Sequence, residues 1–159
     1  MVTIEAASAE DESEILRLAG SAGNFSAEEV VCVQGLWQLY LTEGSQKSGL
    51  YFLVYRSGTQ LLGFTCYGPH VGASGPYDLF WMAVDPAARR QHIGRQLLDR
   101  TLHQIQELGG NLLYIETSGR QDYESTRQFY CACGCVEAAH INDFYEPGES
   151  LVIFTKRPE

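Results

Sequence analysis

The sequence predicts a mixed α/β fold, and three observations carry that prediction. Two apolar segments, residues 77–84 (YDLFWMAV) and 111–117 (NLLYIET), read as buried strands. The stretch between them is long enough for a helix, and a helical crossover between two buried strands implies a parallel pair. A short two-strand unit precedes them and another follows, each with a connection too tight for a crossover, so those pairs are antiparallel. With 159 residues and 45% hydrophobic side chains, the chain suits one compact domain over residues 1–159. That length hides roughly two-thirds of the unfolded surface, which supports a core without disulfide or metal staples.

Residues 2–6 (VTIEA) form a short first strand, and Asp11-Glu12-Ser13-Glu14 opens a helix through Ile15, Leu16 and Leu18 that stops before Gly20. Ser26-Ala27-Glu28-Glu29 is a capping box. The helix it starts carries Val30, Val33, Trp37 and Leu41 on one face and ends at Gly44 and the polar run to Gly49. Residues 51–56 and 60–67 make a hairpin about Ser57-Gly58, followed by a Gly- and Pro-rich loop over 68–76. The apolar strand 77–84, read as buried on both faces, ends at Asp85-Pro86. From Ile93, the positions Leu97, Leu98, Leu102, Ile105 and Leu108 draw one helical stripe, stopped by Gly109-Gly110. After strand 111–117, residues 123–133 form a helix closed by Gly134, and strands 136–144 and 151–156 flank the turn Glu146-Pro147-Gly148.

Composition narrows the function. Twenty acidic residues against 11 basic ones leave a net charge of −9, which argues against nucleic acid as a partner. Residues 57–77 are uncharged, but glycines and prolines interrupt them well short of the ~20 apolar residues a spanning helix needs, so no membrane partner is expected. The N-terminal segment MVTIEAASAEDE has no basic region followed by an apolar one, and a soluble, cytoplasmic protein is the expectation. The five cysteines are odd in number, and the spacing of Cys131, Cys133 and Cys135, with His140 the only nearby histidine, does not suit zinc. No metal is expected, and the cysteines read as small side chains near a helix end.

An anionic ligand would need the few positive charges gathered in one place. Arg89, Arg90, Arg95 and Arg100 are gathered, with His92 among them, where a buried strand passes into a helix. A helix start offers free backbone N–H groups and the positive end of its dipole, which suit a phosphate or pyrophosphate. A solvated basic turn accounts for the spacing equally well. The segment is no Walker P-loop, because no Gly-Lys-Ser/Thr follows.

Strand YDLFWMAV, then Asp85-Pro86, then Arg89-x-x-His92-x-Gly94, resembles the acyl-CoA signature Q/R-x-x-G-x-G/A of the GNAT superfamily of N-acyltransferases. The strand ending Ile115-Glu116-Thr117 and the helix Ser125-Thr126-Arg127-Gln128-Phe129-Tyr130 agree in order and distance. The resemblance covers residues 50–156 well and the first 45 by element order. It implies a mostly antiparallel mixed sheet with a central parallel strand pair and about four helices. It also implies acetyl-CoA as co-substrate, with the main chain of Met82, Ala83 and Val84 pairing with the pantetheine arm. Arg89, Arg90, Gln91, His92, Ile93, Gly94 and Arg95 would hold the pyrophosphate. His92 stands in place of the signature's first glycine, and Tyr123 stands where many relatives carry an asparagine that touches the cofactor. Tyr130 matches a tyrosine general acid and Glu116 an acidic position that serves some members as base.

The chemistry suits those roles. An amine with a pKa near ~10 arrives protonated, so a carboxylate can take its proton, while a phenol can return one to the leaving thiolate. Tyr130 as an aromatic core residue, and Glu116 as a solvated or capping carboxylate, are the plainer readings. Asp78 reads as a structural hydrogen-bonding group that could also orient an amine or replace Glu116; His70, His103 and His140 form no ligand spacing and read as surface or satisfied residues rather than metal ligands. Trp37, Tyr40, Phe80 and Trp81 read as core, and Phe25, Tyr67, Phe144 and Tyr145 as acceptor contacts. The leading expectation is acetyl transfer to a primary amine, of a small molecule or a peptide, by direct attack on the thioester. The alternatives are a non-catalytic acyl-CoA-binding or regulatory module and a nucleotide-phosphate binding domain. A homodimer is compatible with each.

Overall fold

The computed structural model describes residues 1–21 and 25–159. Its strands are β1 (Val2–Ala6), β2 (Tyr51–Ser57), β3 (Gln60–Pro69), β4 (Pro76–Val84), β5 (Leu112–Ser118), β6 (Val136–Glu146) and β7 (Glu149–Lys156). Its helices are α1 (Glu12–Ser21), α2 (Ala27–Ser48), α3 (Ile93–Glu107) and α4 (Glu124–Ala132). The strands make one sheet in the order β1-β2-β3-β4-β5-β7-β6. Only β4 and β5 run parallel; the other neighbours are antiparallel. The expected parallel pair is therefore present, with α3 as its crossover.

The sheet is covered on both faces because β2 and β3 alternate apolar side chains to each side. Phe52, Val54, Phe64 and Cys66 pack with Ile15 and Leu18 of α1 and Val33 and Trp37 of α2. Leu53, Tyr55 and Tyr67 face the other way, toward the α3 stripe of Leu97, Leu98, Leu102 and Ile105. Helix α3 lies close to the sheet at Gly63, where a Cβ would stand 2.9 Å from Leu97 Cδ1 and 3.0 Å from the Ala83 carbonyl oxygen. The first turn of α3 is thus set by a position that has no room for a side chain.

Several boundaries differ from the sequence reading, each for a local reason. The first helix is entered from Ser8, whose N–H donates to Asp11 Oδ2 at 2.9 Å, through a short 3-10 turn at Ala9–Asp11. It passes Gly20 and ends at Ser21. Ser26 caps α2 as expected, its side chain accepting from the Glu29 N–H at 3.1 Å. Gly44 (φ 75°, ψ 169°) breaks that helix without ending it, and one further turn closes at Gly49. The two closing strands pair with each other, but the later one, β7, inserts between β5 and β6.

The larger correction concerns β4, which is not buried on both faces. Leu79 and Ala83 are buried, whereas Phe80 is 37% exposed and most of the remaining side chains are half-buried. The cause is its pairing. Strand β4 meets β5 only through Pro76, Tyr77 and Asp78, opposite Leu112, Leu113 and Tyr114. Beyond Asp78 the two strands part, each keeping its other neighbour. The register against β3 also slips at Phe80, since Cys66 faces Trp81 while Tyr67 faces Leu79. That bulge reverses the alternation: Leu79 and Met82 pack on the α3 side, Trp81 and Ala83 on the α1 and α2 side.

Candidate active site

The parting of β4 from β5 opens a cleft through the sheet with two connected chambers. Along its floor, Met82, Ala83 and Val84 keep β3 as partner, opposite Thr65, Phe64 and Gly63, and turn their second edge to the opening. Across it, Glu116 and Thr117 pair with Ile153 and Val152 of β7. The cleft thus has main-chain groups of β4 free for an extended ligand, as a strand edge always does.

One chamber, of about 600 Å³, lies between the first turn of α3 and helix α4. It is lined by Met82–Val84, by Arg89, Arg90, His92, Ile93, Gly94 and Arg95, and by Ser125, Thr126, Phe129 and Tyr130. Of the residues expected around a pyrophosphate only Gln91 is outside the lining; its side chain is exposed. Arg90 (φ 66°) and His92 (φ 59°) both adopt left-handed backbone. His92 therefore takes the conformation that the signature's glycine would take, in a region His visits more readily than most residues. The first helical hydrogen bond runs from the Gln96 N–H to the His92 carbonyl at 3.0 Å. The N–H groups of Ile93, Gly94 and Arg95 precede it and have no acceptor within the helix. Gly94 is tight, since a Cβ there would lie 3.0 Å from the Phe129 ring and 3.2 Å from Met82 Cε. Free N–H groups, the helix dipole and clustered arginines fit a pyrophosphate.

The second chamber, of about 730 Å³, lies on the far side of Tyr130. Its walls carry the carboxylates of Glu28, Glu29, Asp78, Glu116 and Glu149 against the guanidinium groups of Arg89 and Arg120. Arg120 is engaged by Asp122 at 2.9 and 2.6 Å and lies over the Tyr123 ring. Glu116 Oε1 accepts from the Tyr114 hydroxyl at 2.8 Å. Burial, and then that donation to a carboxylate, push the Tyr114 phenol up to about 12. Tyr123 lines this chamber and not the one beside α3.

Tyr130 lines both chambers, as do Met82, Ala83, Val84, Arg89 and Thr126. Its helix is held at both ends. Arg127 Nη1 donates to the carbonyls of Ser118 (2.7 Å) and Arg120 (2.8 Å), and Gly134 (φ 85°) closes the C-terminus while the Cys135 N–H donates to the Tyr130 carbonyl. The ring packs against Phe129 and Phe154. Burial pushes the phenol above the ordinary tyrosine range, with the neighbouring Cys135 and Cys133 adding to it. A hydroxyl in this position keeps its proton throughout the physiological range.

Phe25, edge-on to Trp81 at 5.1 Å, and Tyr145 line the second chamber. Tyr67 does not: it is fully buried and its hydroxyl donates to Gln104 Oε1 on α3, because its position on β3 faces the covered side of the sheet. Phe144 stands outside the lining, half-exposed against Tyr145. Trp37 is core, whereas Phe80 and Trp81, also read as core, line the cleft, since the strand that would cover them has turned away. His70 is half-exposed and satisfied, its Nδ1 2.8 Å from Asp78 Oδ1, and it also lines the second chamber. Only the closure of the 68–76 loop brings those two together, and the sequence carries no periodic signal for it. Burial pushes the Cys133 and Cys135 thiols up, Cys135 to about 11. Among the described residues no group of three or more His, Cys, Asp or Glu is placed to hold a metal ion, and no helix is long and apolar enough to cross a membrane.

The cleft, the helix start beside it and the parallel pair that splays to open it make up an acetyltransferase fold. Residues 47–137 match the family model described as an acetyltransferase (GNAT) domain. The chain is 32% identical to a GNAT-family acetyltransferase from Desulfovibrio desulfuricans, with both chains covered completely and a TM-score of 0.95. The ribosomal-protein-S18-alanine N-acetyltransferase from Escherichia coli has the same fold at 19% identity, over 100% of this chain and 95% of that one, with a TM-score of 0.77. An acetyltransferase from Salmonella typhimurium solved with acetyl-CoA superposes with a TM-score of 0.72 at 14% identity, over 100% and 95% of the two chains. Comparison with curated protein sequences finds no match. The chain belongs to the GNAT family of acetyltransferases.

Proposed function

We infer that this protein transfers the acetyl group of acetyl-CoA to a primary amine by direct attack. The observation that carries the reading is the place of Tyr130, between a chamber lined by free N–H groups and arginines and a chamber rich in carboxylates. The first suits the pyrophosphate of acetyl-CoA, with the open edge of Met82, Ala83 and Val84 for its pantetheine arm. The second suits an ammonium, which the carboxylates attract.

In this reading the turn from Arg89 to Arg95 binds and orients acetyl-CoA, and Gly94 lets α4 and Met82 approach the helix start. Glu116, the carboxylate that the family resemblance implies as base, draws the amine toward the junction. Tyr130 donates its proton to the departing thiolate, a role that burial supports by keeping the phenol neutral. An acceptor with a second positive charge suits the remaining carboxylates of the chamber.

Calorimetric titration with acetyl-CoA tests the first link, and CoA release with a panel of primary amines tests the second. Heat of binding together with amine-dependent release is the expected result. Binding without release across the panel would leave an acyl-CoA-binding module, and competition by ATP but not by CoA would point to a nucleotide site.

A further inference from the structure

Resting on this N-acetyltransfer reading, we propose that His70 is the general base of the site and that Asp78 is its positioning residue. His70 follows the last residue of β3, and its backbone N–H donates to the Pro76 carbonyl at 2.9 Å, which closes the loop between β3 and β4. Its ring Nδ1 lies 2.8 Å from Asp78 Oδ1, and the ring stands edge-on to Tyr114 with centroids 5.5 Å apart. Asp78 is the last residue of β4 paired with β5. The pair therefore sits where the strands begin to part, at the apex of the cleft.

The hydrogen bond decides the tautomer. An ionised carboxylate only accepts, so Nδ1 carries the proton and the lone pair of the neutral ring is on Nε2. Among the described residues no group hydrogen-bonds Nε2, and the side chain lines the acceptor chamber while staying half-exposed. A proton taken there can pass to water. Glu116 Oε1 already accepts from Tyr114, which leaves only its Oε2 for an amine proton. The titratable groups placed directly against His70 are Asp78 on β4 and Tyr114 on β5; Tyr114 in turn meets Glu116 on β5 and the field of Tyr145 on β6.

The protons balance as follows. The ammonium brings three: Nε2 of His70 takes one and releases it to water, which frees the nitrogen lone pair to form the C–N bond. After attack Tyr130 gives its proton to the sulfur as the C–S bond breaks, and the second proton, leaving the nitrogen, passes to the phenolate left on Tyr130. The third stays on the amide nitrogen. The products are the acetylated amine, CoA thiol and one proton.

The test measures CoA release at saturating acetyl-CoA with three probe amines: a peptide with a free N-terminal alanine, lysine and spermidine. His70→Asn keeps a donor toward Asp78 and has no basic nitrogen. It is expected to lower kcat/KM by about 10²–10⁴ near pH 7, with the loss narrowing as pH rises toward the amine's own pKa, about 8 for the peptide's α-amino group and about 10 for the lysine side chain, and to leave acetyl-CoA affinity within about twofold. Asp78→Asn is expected to follow the same pH pattern, whereas Glu116→Gln loses less than about tenfold. Unchanged kcat/KM in His70→Asn, or a loss independent of pH, overturns the proposal while wild-type turnover leaves the transferase reading standing. Failure of the wild-type protein to bind acetyl-CoA overturns both. Long-range ¹H–¹⁵N spectra of the wild-type imidazole decide the case where no probe amine turns over or a variant fails to fold: the Nδ1–H tautomer is expected, and an Nε2–H tautomer overturns the assignment.

Discussion

The Arg95 guanidinium donates to the Ala132 carbonyl at 2.7 Å and so ties the first turn of α3 to the last residue of α4. A cation at a helix C-terminus is favourable for the carbonyls it meets. Here it also couples two walls of one chamber, because Arg95 and Ala132 both line the pocket beside Gly94. Arg95→Ala is expected to weaken acetyl-CoA binding by about tenfold, the size of one charge-assisted hydrogen bond. The loss should shrink at high salt, where an exposed interaction is screened. Titration calorimetry at two ionic strengths checks it.

Tyr130→Phe keeps the ring against Phe129 and Phe154 and removes only the hydroxyl. Turnover is expected to fall by about 10²-fold or more, with acetyl-CoA affinity within about twofold, since general acid catalysis contributes on that scale. Steady-state kinetics and binding measured on the same preparation check this; undiminished turnover removes Tyr130 from the acid role.

The buried phenols predict an alkaline transition. Tyr67 and Tyr130 are held above the ordinary range chiefly by burial, and Tyr114 is held near 12. A group raised in the folded state contributes stability that is complete below its unfolded value, near ~10 for tyrosine, and that is lost as pH rises toward the folded value. Melting temperature should therefore fall steadily above about pH 10. Tyr130→Phe should flatten that fall, which thermal melts followed alongside tyrosinate absorbance would show.

Gly63→Ala places a methyl group 2.9 Å from Leu97 and 3.0 Å from the Ala83 carbonyl. Overpacking of this kind costs about 1–3 kcal/mol, read as a fall of several degrees in melting temperature. Because Leu97 lies one turn beyond Ile93, displacing α3 also moves its free N–H groups. Acetyl-CoA affinity is expected to drop with stability in this variant, measured by melts with and without the ligand.

His92→Gly tests the position at which the sequence departs from the family signature. His92 already has φ 59°, so glycine is expected to keep the loop and bind acetyl-CoA within about threefold of wild type, relieving the roughly 1 kcal/mol of a left-handed non-glycine residue. His92→Val, β-branched at the same backbone angle, should lose affinity. Equal binding by all three proteins would show that the backbone angle at this residue does not matter to the ligand.

Much of this architecture is legible in the chain because periodicity reports which face is covered. The α3 stripe of Leu97, Leu98, Leu102 and Ile105 is core as its spacing predicts, except that Leu108, the last of the stripe, falls just past the helix end and is exposed; the Ser26 cap starts α2 where its motif says. The same signal misleads at β4, where an apolar run reads as covered on both sides although its neighbour turns away after Asp78. Nothing in the residue pattern marks the extra position at Phe80, so Phe80 and Trp81 read as core while they line the cleft. Tyr67 fails in the opposite sense: one residue before the glycine of a loop, it faces α3. The pairing of His70 with Asp78 depends on a loop that folds back over eight positions, and alternation along a strand carries no record of that.

The bulge at Phe80 separates what the two halves of β4 can vary. Asp78 and Leu79 before it, and Trp81 just after it, line the carboxylate-rich chamber alone, whereas Met82, Ala83 and Val84 line both chambers. Because the inserted residue already breaks the alternation between them, the 68–76 loop and the strand up to Asp78 can exchange residues, or shift by one, without turning Met82, Ala83 and Val84 to the wrong face. In the N-acetyltransfer reading, a change of acceptor is thus open to this chain through its loop and upper strand, with Met82, Ala83 and Val84 left on the same face.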